Sequence, residues 1–277
     1  MTRSVVGVAL VVALAGAGFA MSFAAQVPSP VPVTADRPGT CHLAEDPNEL
    51  IAIPSDTAPP APCNRPHQTE TMFVAQVTGI LAASPTRPNG ELLNTLASRL
   101  CYNYTVERAY LSADPYDVTY GIYSWSNFPT ATAWARGVRT VACHGSTQPA
   151  TPNGPTIDFS LAGVMNSPHS PLFRLCRTES QDVTCNLPHL AEDTSPNVVL
   201  PAGPYPGPDN VAAAERQACE PIVDAYLKGP VASRPDLTVT PTPITEEAWV
   251  KGRRSGDCWL TNANQALTTG TVRGGAR

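Results

Sequence analysis

The stretch CNRPHQTE, residues 63–70, occurs again in altered form as CNLPHLAE at residues 185–192. The two stretches share cysteine, asparagine, proline, histidine and glutamate at the same five positions. Similarity of this kind within one chain indicates a repeated structural unit rather than an isolated motif. The stretch therefore predicts that the chain folds as two similar halves.

The match continues downstream in each half. ELLNTLASRLC, residues 91–101, and VAAAERQAC, residues 211–219, both have the apolar spacing of an amphipathic helix with a cysteine near its end. WARGVRTVAC, residues 134–143, matches WVKGRRSGDC, residues 249–258, at tryptophan, glycine, arginine and cysteine. Each pair of matches predicts an equivalent element in the two halves.

The repeat and the composition together predict four segments. Each half closes on a small-residue turn, SLAG at 160–163 and TVRG at 271–274, and two domains of roughly 110–125 residues account for the chain length. We expect a signal peptide or membrane anchor at 1–26, a proline-rich linker at 27–40, a first domain at 41–163 and a second domain at 164–277.

The N-terminal segment predicts export. It has one basic residue, Arg3, followed by an uncharged apolar run, which is typical of a secretory signal. The run of about 20 residues is also long enough to span a bilayer uncleaved. Secretion and membrane anchoring both remain open, and in either case the folded part lies outside the cytoplasm, where disulfides persist.

The charge distribution excludes a nucleic-acid partner. The net charge is −5, and the chain has no run of basic residues that would bind a phosphate backbone.

The eight cysteines divide four and four between the halves, and an even number in an exported chain favours disulfides. Four cysteines allow three connectivities in each domain. Cys176 and Cys185 lie symmetrically about Ser180–Gln181, so a two-residue hairpin turn there would place them face to face. The favoured pairings are Cys176–Cys185 with Cys219–Cys258 and, by analogy, Cys41–Cys63 with Cys101–Cys143.

The predicted fold class is α+β. Each half contains a hairpin, a strand after the Pro-His pair, one main helix and a strand through the final cysteine. We therefore expect two similar small disulfide-stapled domains, each an antiparallel sheet with one main helix.

The order Cys, Cys-x-x-Pro-His-x-x-Glu, helical Cys and Trp-x-x-Gly-x-Arg-x-x-x-Cys resembles the septum formation family. The resemblance covers nearly everything after residue 40, as two tandem copies. It implies an actinobacterial envelope protein, exported or membrane-anchored, with a link to cell division. It implies no established reaction, substrate or cofactor.

The side chains shared by both halves are interpreted as structural. A lone His/Glu pair is a poor zinc site, and no shared serine or lysine offers a nucleophile, so we expect no catalytic residue, metal or cofactor. His42, His144 and His169 have no counterpart in the other half. We also expect Arg139 to pair with Glu70, and Arg254 with Glu192. The structural set is His67, Glu70, Trp134, Gly137, Arg139, His189, Glu192, Trp249, Gly252 and Arg254.

The first half alone carries an aromatic segment, residues 102–128, with six of the eight tyrosines. Strand and core packing is one interpretation, and a recognition surface for a glycan or protein is the other, because tyrosine and tryptophan favour interfaces. The candidate surface residues are Tyr116, Tyr120, Tyr123 and Trp125.

The sequence thus predicts a non-enzymatic extracytoplasmic envelope protein. Its partner would be an envelope or divisome protein or a cell-wall component, and an uncleaved N-terminal segment would attach it to the membrane. The alternatives are an envelope enzyme acting on wall polymers, or a module that binds a small ligand or metal.

Overall fold

The structure is a computed structural model, and it describes residues 36–43, 60–101, 104–147 and 156–275. The predicted signal or anchor at 1–26, and the linker as far as residue 35, lie outside the described residues. Among the described residues, no helix combines the length and apolar character needed to cross a membrane. The described residues belong to one compact unit that begins at Asp36.

The first half builds one five-stranded sheet and its helices. Its strands are β1 (Cys41–His42), β2 (Pro60–Ala61), β3 (Thr69–Gln76), β4 (Tyr123–Asn127) and β5 (Thr140–Ser146). Its helices are α1 (Gly79–Ala83), α2 (Gly90–Leu100), α3 (Tyr104–Leu111) and α4 (Ala131–Ala135).

The second half builds another five-stranded sheet. Its strands are β6 (Leu175–Arg177), β7 (Asp182–Thr184), β8 (Ala191–Val199), β9 (Leu237–Pro241) and β10 (Ser255–Asn262). Its helices are α5 (Pro208–Leu227) and α6 (Glu246–Val250).

The two sheets have the same strand order. The first is β2-β1-β3-β5-β4 and the second is β7-β6-β8-β10-β9. Neighbouring strands are antiparallel throughout. The strand after the Pro-His pair, β3 or β8, pairs with the strand that carries the last cysteine of its half, β5 or β10. The α+β class with two antiparallel sheets is therefore confirmed.

The short helices that carry Trp134 and Trp249 follow the predicted helix–glycine–strand pattern. The side chains of Thr130 and Thr245 accept hydrogen bonds from the amides of residues 133 and 248, so each helix has an N-cap. Gly137 and Gly252 adopt φ of +92° and +80° beyond each helix, a conformation that glycine tolerates best. The backbone can then reverse into β5 or β10.

Four disulfides link the elements with the predicted connectivity. Cys41–Cys63 and Cys176–Cys185 hold the first strand pair of each sheet. The other two bridges, Cys101–Cys143 and Cys219–Cys258, link the helical region of each half to β5 or β10. Each bridge contributes roughly 2–4 kcal/mol, chiefly by restricting the unfolded chain.

The hairpin in the second half is shifted by one residue from the prediction. Cys176 lies opposite Val183, so the turn is centred on Glu179–Ser180 and not on Ser180–Gln181. The hydroxyl of Thr178 accepts hydrogen bonds from the amides of residues 180 and 181 and so fixes this turn. The cysteines are therefore not face to face, and Cys185 reaches Cys176 from beyond the end of β7.

The helices differ more between the halves than the sequence predicts. In the second half α5 continues for eight residues past Cys219, which therefore lies within the helix and not near its end. In the first half α2 ends at Leu100, Cys101 is the C-cap, and α3 is a separate helix. The expectation of one main helix per half is therefore correct for the second half and wrong for the first.

Candidate functional site

The glutamates of the repeated motif occupy equivalent buried positions. Glu70 and Glu192 are 0% and 2% exposed. One oxygen of Glu70 accepts hydrogen bonds from the hydroxyls of Tyr110 and Ser160, and the other accepts from the amide of Leu161 at 2.6 Å. Each glutamate therefore fastens the closing turn of its half to the sheet.

The second half repeats this arrangement with equivalent side chains. One oxygen of Glu192 accepts from the hydroxyls of Tyr226 and Thr271, and the other accepts from the amide of Val272 at 2.8 Å. Burial raises the pKa of Tyr226, and the nearby Glu192 raises it further. The phenol therefore remains a neutral donor. We call each glutamate with its three donors the glutamate clamp.

The tyrosines of the glutamate clamp were not predicted from the sequence. Both lie in the short sequence Ala-Tyr-Leu, at residues 109–111 and 225–227. This signal was present, but the spacing from the helical cysteine differs between the halves: Tyr110 follows Cys101 by nine residues and Tyr226 follows Cys219 by seven.

The motif histidines are buried and bonded to the backbone. His67 and His189 are 0% and 1% exposed. Nδ1 of each lies 2.8 Å from the carbonyl oxygen two residues earlier, that of Arg65 or Leu187. Because a carbonyl can only accept, Nδ1 of each ring carries a proton and donates it to this hydrogen bond. Bridges from His67 to Ile157 and from His189 to Thr268 connect the motif to the closing segment.

The tryptophans serve as buried anchors in both halves. Trp134 and Trp249 are 0% and 6% exposed. Their indole N–H groups donate to the carbonyl oxygens of Ser84 and Gly203, at 3.0 and 2.8 Å. Each indole therefore fixes a loop against the helical face of its sheet.

The predicted Arg139–Glu70 and Arg254–Glu192 pairs are wrong. The guanidinium of Arg139 lies 4.1 Å from the centre of the Trp134 ring, and it donates to backbone carbonyls, including that of Ala82 at 2.7 Å. Arg254 lies over the Trp249 ring at 5.5 Å. The glutamates are engaged by the donors of the glutamate clamp, so the arginines stack on the indoles instead.

The aromatic segment of the first half reaches across to the second half. Thr119 forms a β-bridge with Arg174, and the amide of Tyr120 donates to the carbonyl of Phe173 at 2.9 Å. Tyr116 is half-buried against the hydrophobic core of the second half. Tyr116 therefore contributes to core packing in part, and its place in a recognition surface stays a prediction.

The other residues of the predicted aromatic surface have different positions. Tyr120 and Tyr123 are 37% and 46% exposed. Trp125 lies opposite His144 in the β4–β5 register, and its side chain lies outside the described part of the structure. Tyr120 and Tyr123 are therefore the exposed side chains among those candidates whose burial the structure describes.

A buried charge network lies where this segment meets the second half. The carboxylate of Asp117 pairs with Arg174, and both side chains are 2% exposed. Arg273 donates from Nε to the same carboxylate at 2.9 Å and also pairs with Asp114. We call Asp117, Arg174 and Arg273 the junction network. The sequence offered no signal for it, since these residues are far apart in the chain and Asp117 and Arg174 lie outside the repeated motifs.

Two histidines of the first half surround one carboxylate. Nε2 of His42 lies 3.3 Å from one oxygen of Asp36, and Nε2 of His144 lies 3.8 Å from the other. Thr71 contacts Nδ1 of His144 at 3.2 Å. Burial lowers the pKa of His144 to about 4, although Asp36 opposes the shift. His144 is therefore neutral at pH 7.

This histidine predicts a pH dependence of stability. Between pH 4 and 6.5 the unfolded chain binds a proton that folded His144 does not, so His144 makes the free energy of unfolding rise by about 1.4 kcal/mol per pH unit over this range. In urea denaturation from pH 4 to 7, His144→Gln should lose this slope relative to wild type. Equal slopes for the two proteins would contradict the assignment.

Asp193 in the second half provides a matched variant with the opposite sign. Burial, reinforced by the nearby Asp257, raises the pKa of Asp193 to about 7. Folded Asp193 therefore holds a proton that the unfolded chain has lost above pH 3.8, and its contribution to stability falls as the pH rises. Between pH 3.8 and about 7, the free energy of unfolding of Asp193→Asn should therefore rise by about 1.4 kcal/mol per pH unit relative to wild type. The same urea denaturation series measures this difference.

These features define a class of protein: an α+β chain with two antiparallel sheets, four disulfides and repeated side chains that hold its interior together. The disulfides fit an extracytoplasmic location. A profile of the septum formation family matches residues 38–258 in one match that runs across both sheets, and the chain belongs to this family. No curated protein and no solved structure matches the chain.

Proposed function

We propose that this chain is a non-enzymatic protein of the cell envelope that acts in division by binding another envelope protein or a wall component. The observation that carries the proposal is the inward placement of the motif side chains. His67, Glu70, His189 and Glu192 are each at most 2% exposed, and each is bonded to its own half. Side chains used in this way support a scaffold better than they support catalysis.

The matching strand orders support a second part of the proposal, which is that the two halves are tandem copies of one ancestral domain. The glutamate clamp recurs with Tyr110, Ser160 and Leu161 in one half and Tyr226, Thr271 and Val272 in the other. Each half has its own closing turn, and the proposed boundary after residue 163 leaves one glutamate clamp in each copy.

The family supports the place of action, and the four disulfides support the compartment. In this proposal the N-terminal segment directs the chain across the membrane and is either removed or retained as an anchor. The folded part then contacts its partner outside the cytoplasm. The exposed Tyr120 and Tyr123 are the aromatic side chains that we propose for this contact.

The test is localisation and crosslinking in the native host. The full chain, fused to a fluorescent protein that matures outside the cytoplasm, should concentrate at division septa, whereas residues 1–40 fused to the same reporter should mark the whole cell periphery.

Crosslinking should recover an envelope partner. The double variant Tyr120→Ser/Tyr123→Ser should reduce this yield several-fold, and Val250→Ser, at a side chain that is 76% exposed, should not.

The proposal would be overturned by a uniform peripheral signal together with crosslinks confined to abundant, unrelated envelope proteins. Release of soluble fragments from purified cell wall by the isolated protein would favour the enzymatic alternative. In that case His67→Gln and His189→Gln would be the first variants to examine for loss of the activity.

A further inference from the structure

Four potential metal ligands of the second half converge in the interior. Cys176, Cys185, His189 and Glu192 are buried, and one potential ligand atom from each lies within 4.8 Å of those of the others. Two sulfurs, one imidazole nitrogen and one carboxylate oxygen are a donor set that suits zinc. The sulfurs form a disulfide in this structure, so the set is complete only when that bridge is reduced.

The orientation of His189 is that of a metal ligand. Its Nδ1–H donates to the carbonyl of Leu187 at 2.8 Å, which leaves Nε2 as the ring nitrogen that can bind a metal. Histidines that bind metals are commonly held in this way, with the second ring nitrogen bonded to a carbonyl or carboxylate. The backbone bridge between His189 and Thr268 also fixes the start of this segment.

Glu192 is equally well oriented before any metal binds. Its two oxygens are held by Tyr226, Thr271 and the amide of Val272. Outer hydrogen bonds of this kind position a carboxylate ligand and tune its affinity. The glutamate clamp would thus serve as the outer shell of the site.

The first half provides an internal comparison. Its corresponding set contains Cys41, Cys63 and Glu70, and His67 is not among the side chains that converge there. Three converging ligands and a partly exposed Cys63 make a poorer site than four buried ones. We therefore expect stronger metal binding in the second half than in the first.

We propose that the reduced chain binds one Zn²⁺ in the second half through Cys176, Cys185, His189 and Glu192, and that the disulfide and the zinc site are alternative states of the same residues. A small dithiol reduces the bridge by giving up two electrons and two protons, and it becomes a cyclic disulfide while the protein gains two thiols. Zn²⁺ then displaces both thiol protons and binds two thiolates. This inference goes beyond the proposed function and does not depend on it.

The experiment compares reduced and oxidised protein. The full chain is unfolded in urea, its disulfides are reduced with dithiothreitol, and it is refolded without oxygen in the presence of Zn²⁺, or of Co²⁺ as a coloured substitute. After gel filtration, the reduced protein should retain one tightly held ion and, with Co²⁺, show thiolate charge-transfer absorption. The oxidised protein should retain none, and oxidation of the loaded protein to the disulfide should release the ion.

Variants locate the site. His189→Gln and Cys185→Ser should abolish retention, whereas His67→Gln, the equivalent change in the first half, should not. Thr271→Val removes one donor to Glu192 and should lower the affinity about 10–100-fold. Circular dichroism of each refolded variant separates loss of the site from loss of the fold.

Three results would overturn the inference. One is a reduced wild-type protein that retains no ion, whether or not it refolds. Another is equal retention by wild type and His189→Gln. The third is equal loss in His67→Gln and His189→Gln, which would show that the effect is not specific to the second half.

Discussion

Glu192→Ala should lower the free energy of unfolding by about 3–5 kcal/mol, because it leaves three buried donors without an acceptor and each such group costs about 1–3 kcal/mol. The donors are the hydroxyls of Tyr226 and Thr271 and the amide of Val272. Urea denaturation of the oxidised protein at pH 7 measures the change.

Two variants control for this experiment. Glu192→Gln keeps the shape and one acceptor oxygen, so it should cost less than the alanine variant. Glu179→Ala removes an exposed glutamate in the β6–β7 turn and should change stability by no more than about 0.5 kcal/mol. If the free energies of unfolding of Glu192→Ala and wild type differ by less than about 1 kcal/mol, the glutamate clamp does not hold the closing turn.

Asp117→Ala should destabilise the chain by a similar amount, about 3–5 kcal/mol, because it leaves the buried Arg174 without its carboxylate. Arg174 and Asp117 are both 2% exposed, and Arg273 shares the same carboxylate. The loss should appear in thermal and urea unfolding, and it tests whether the junction network holds the aromatic segment of the first half against the second.

A double variant separates the pair from its individual charges. Asp117→Leu/Arg174→Met replaces the pair with apolar side chains and should recover much of the stability lost by Asp117→Ala, as apolar replacements of buried ion pairs commonly do. Glu247→Ala breaks an exposed pair with Lys251 and should cost no more than about 1 kcal/mol. A small loss in Asp117→Ala, comparable to that of Glu247→Ala, would contradict the role of the junction network.

The sequence identified the local elements well. Short stretches of sequence predicted three features correctly. These are the short helix before Gly137 or Gly252, the strand that follows it, and the division of the cysteines between the halves. In these cases the physical cause is local: a helix end needs a residue that tolerates positive φ, and a strand needs apolar side chains at regular spacing.

The errors have equally specific causes. Arg139 and Glu70 have opposite charges, and both recur in the second half, which made their pairing reasonable. In the fold, however, the glutamate already has three donors, and the arginine lies over Trp134. The hairpin turn lies one residue from its predicted position because the hydroxyl of Thr178 accepts hydrogen bonds from the amides of the turn.

By itself, the sequence determined that the chain repeats one set of elements, with the same side chains at the same offsets. Only the tertiary structure decided what those side chains contact. Glu70 meets Ser160 and Leu161 from 90 and 91 residues away, and Asp117 meets Arg273 across 156 residues. Contacts over such separations depend on how sheets and helices pack against one another. A pattern of neighbouring residues in the sequence does not predict that packing.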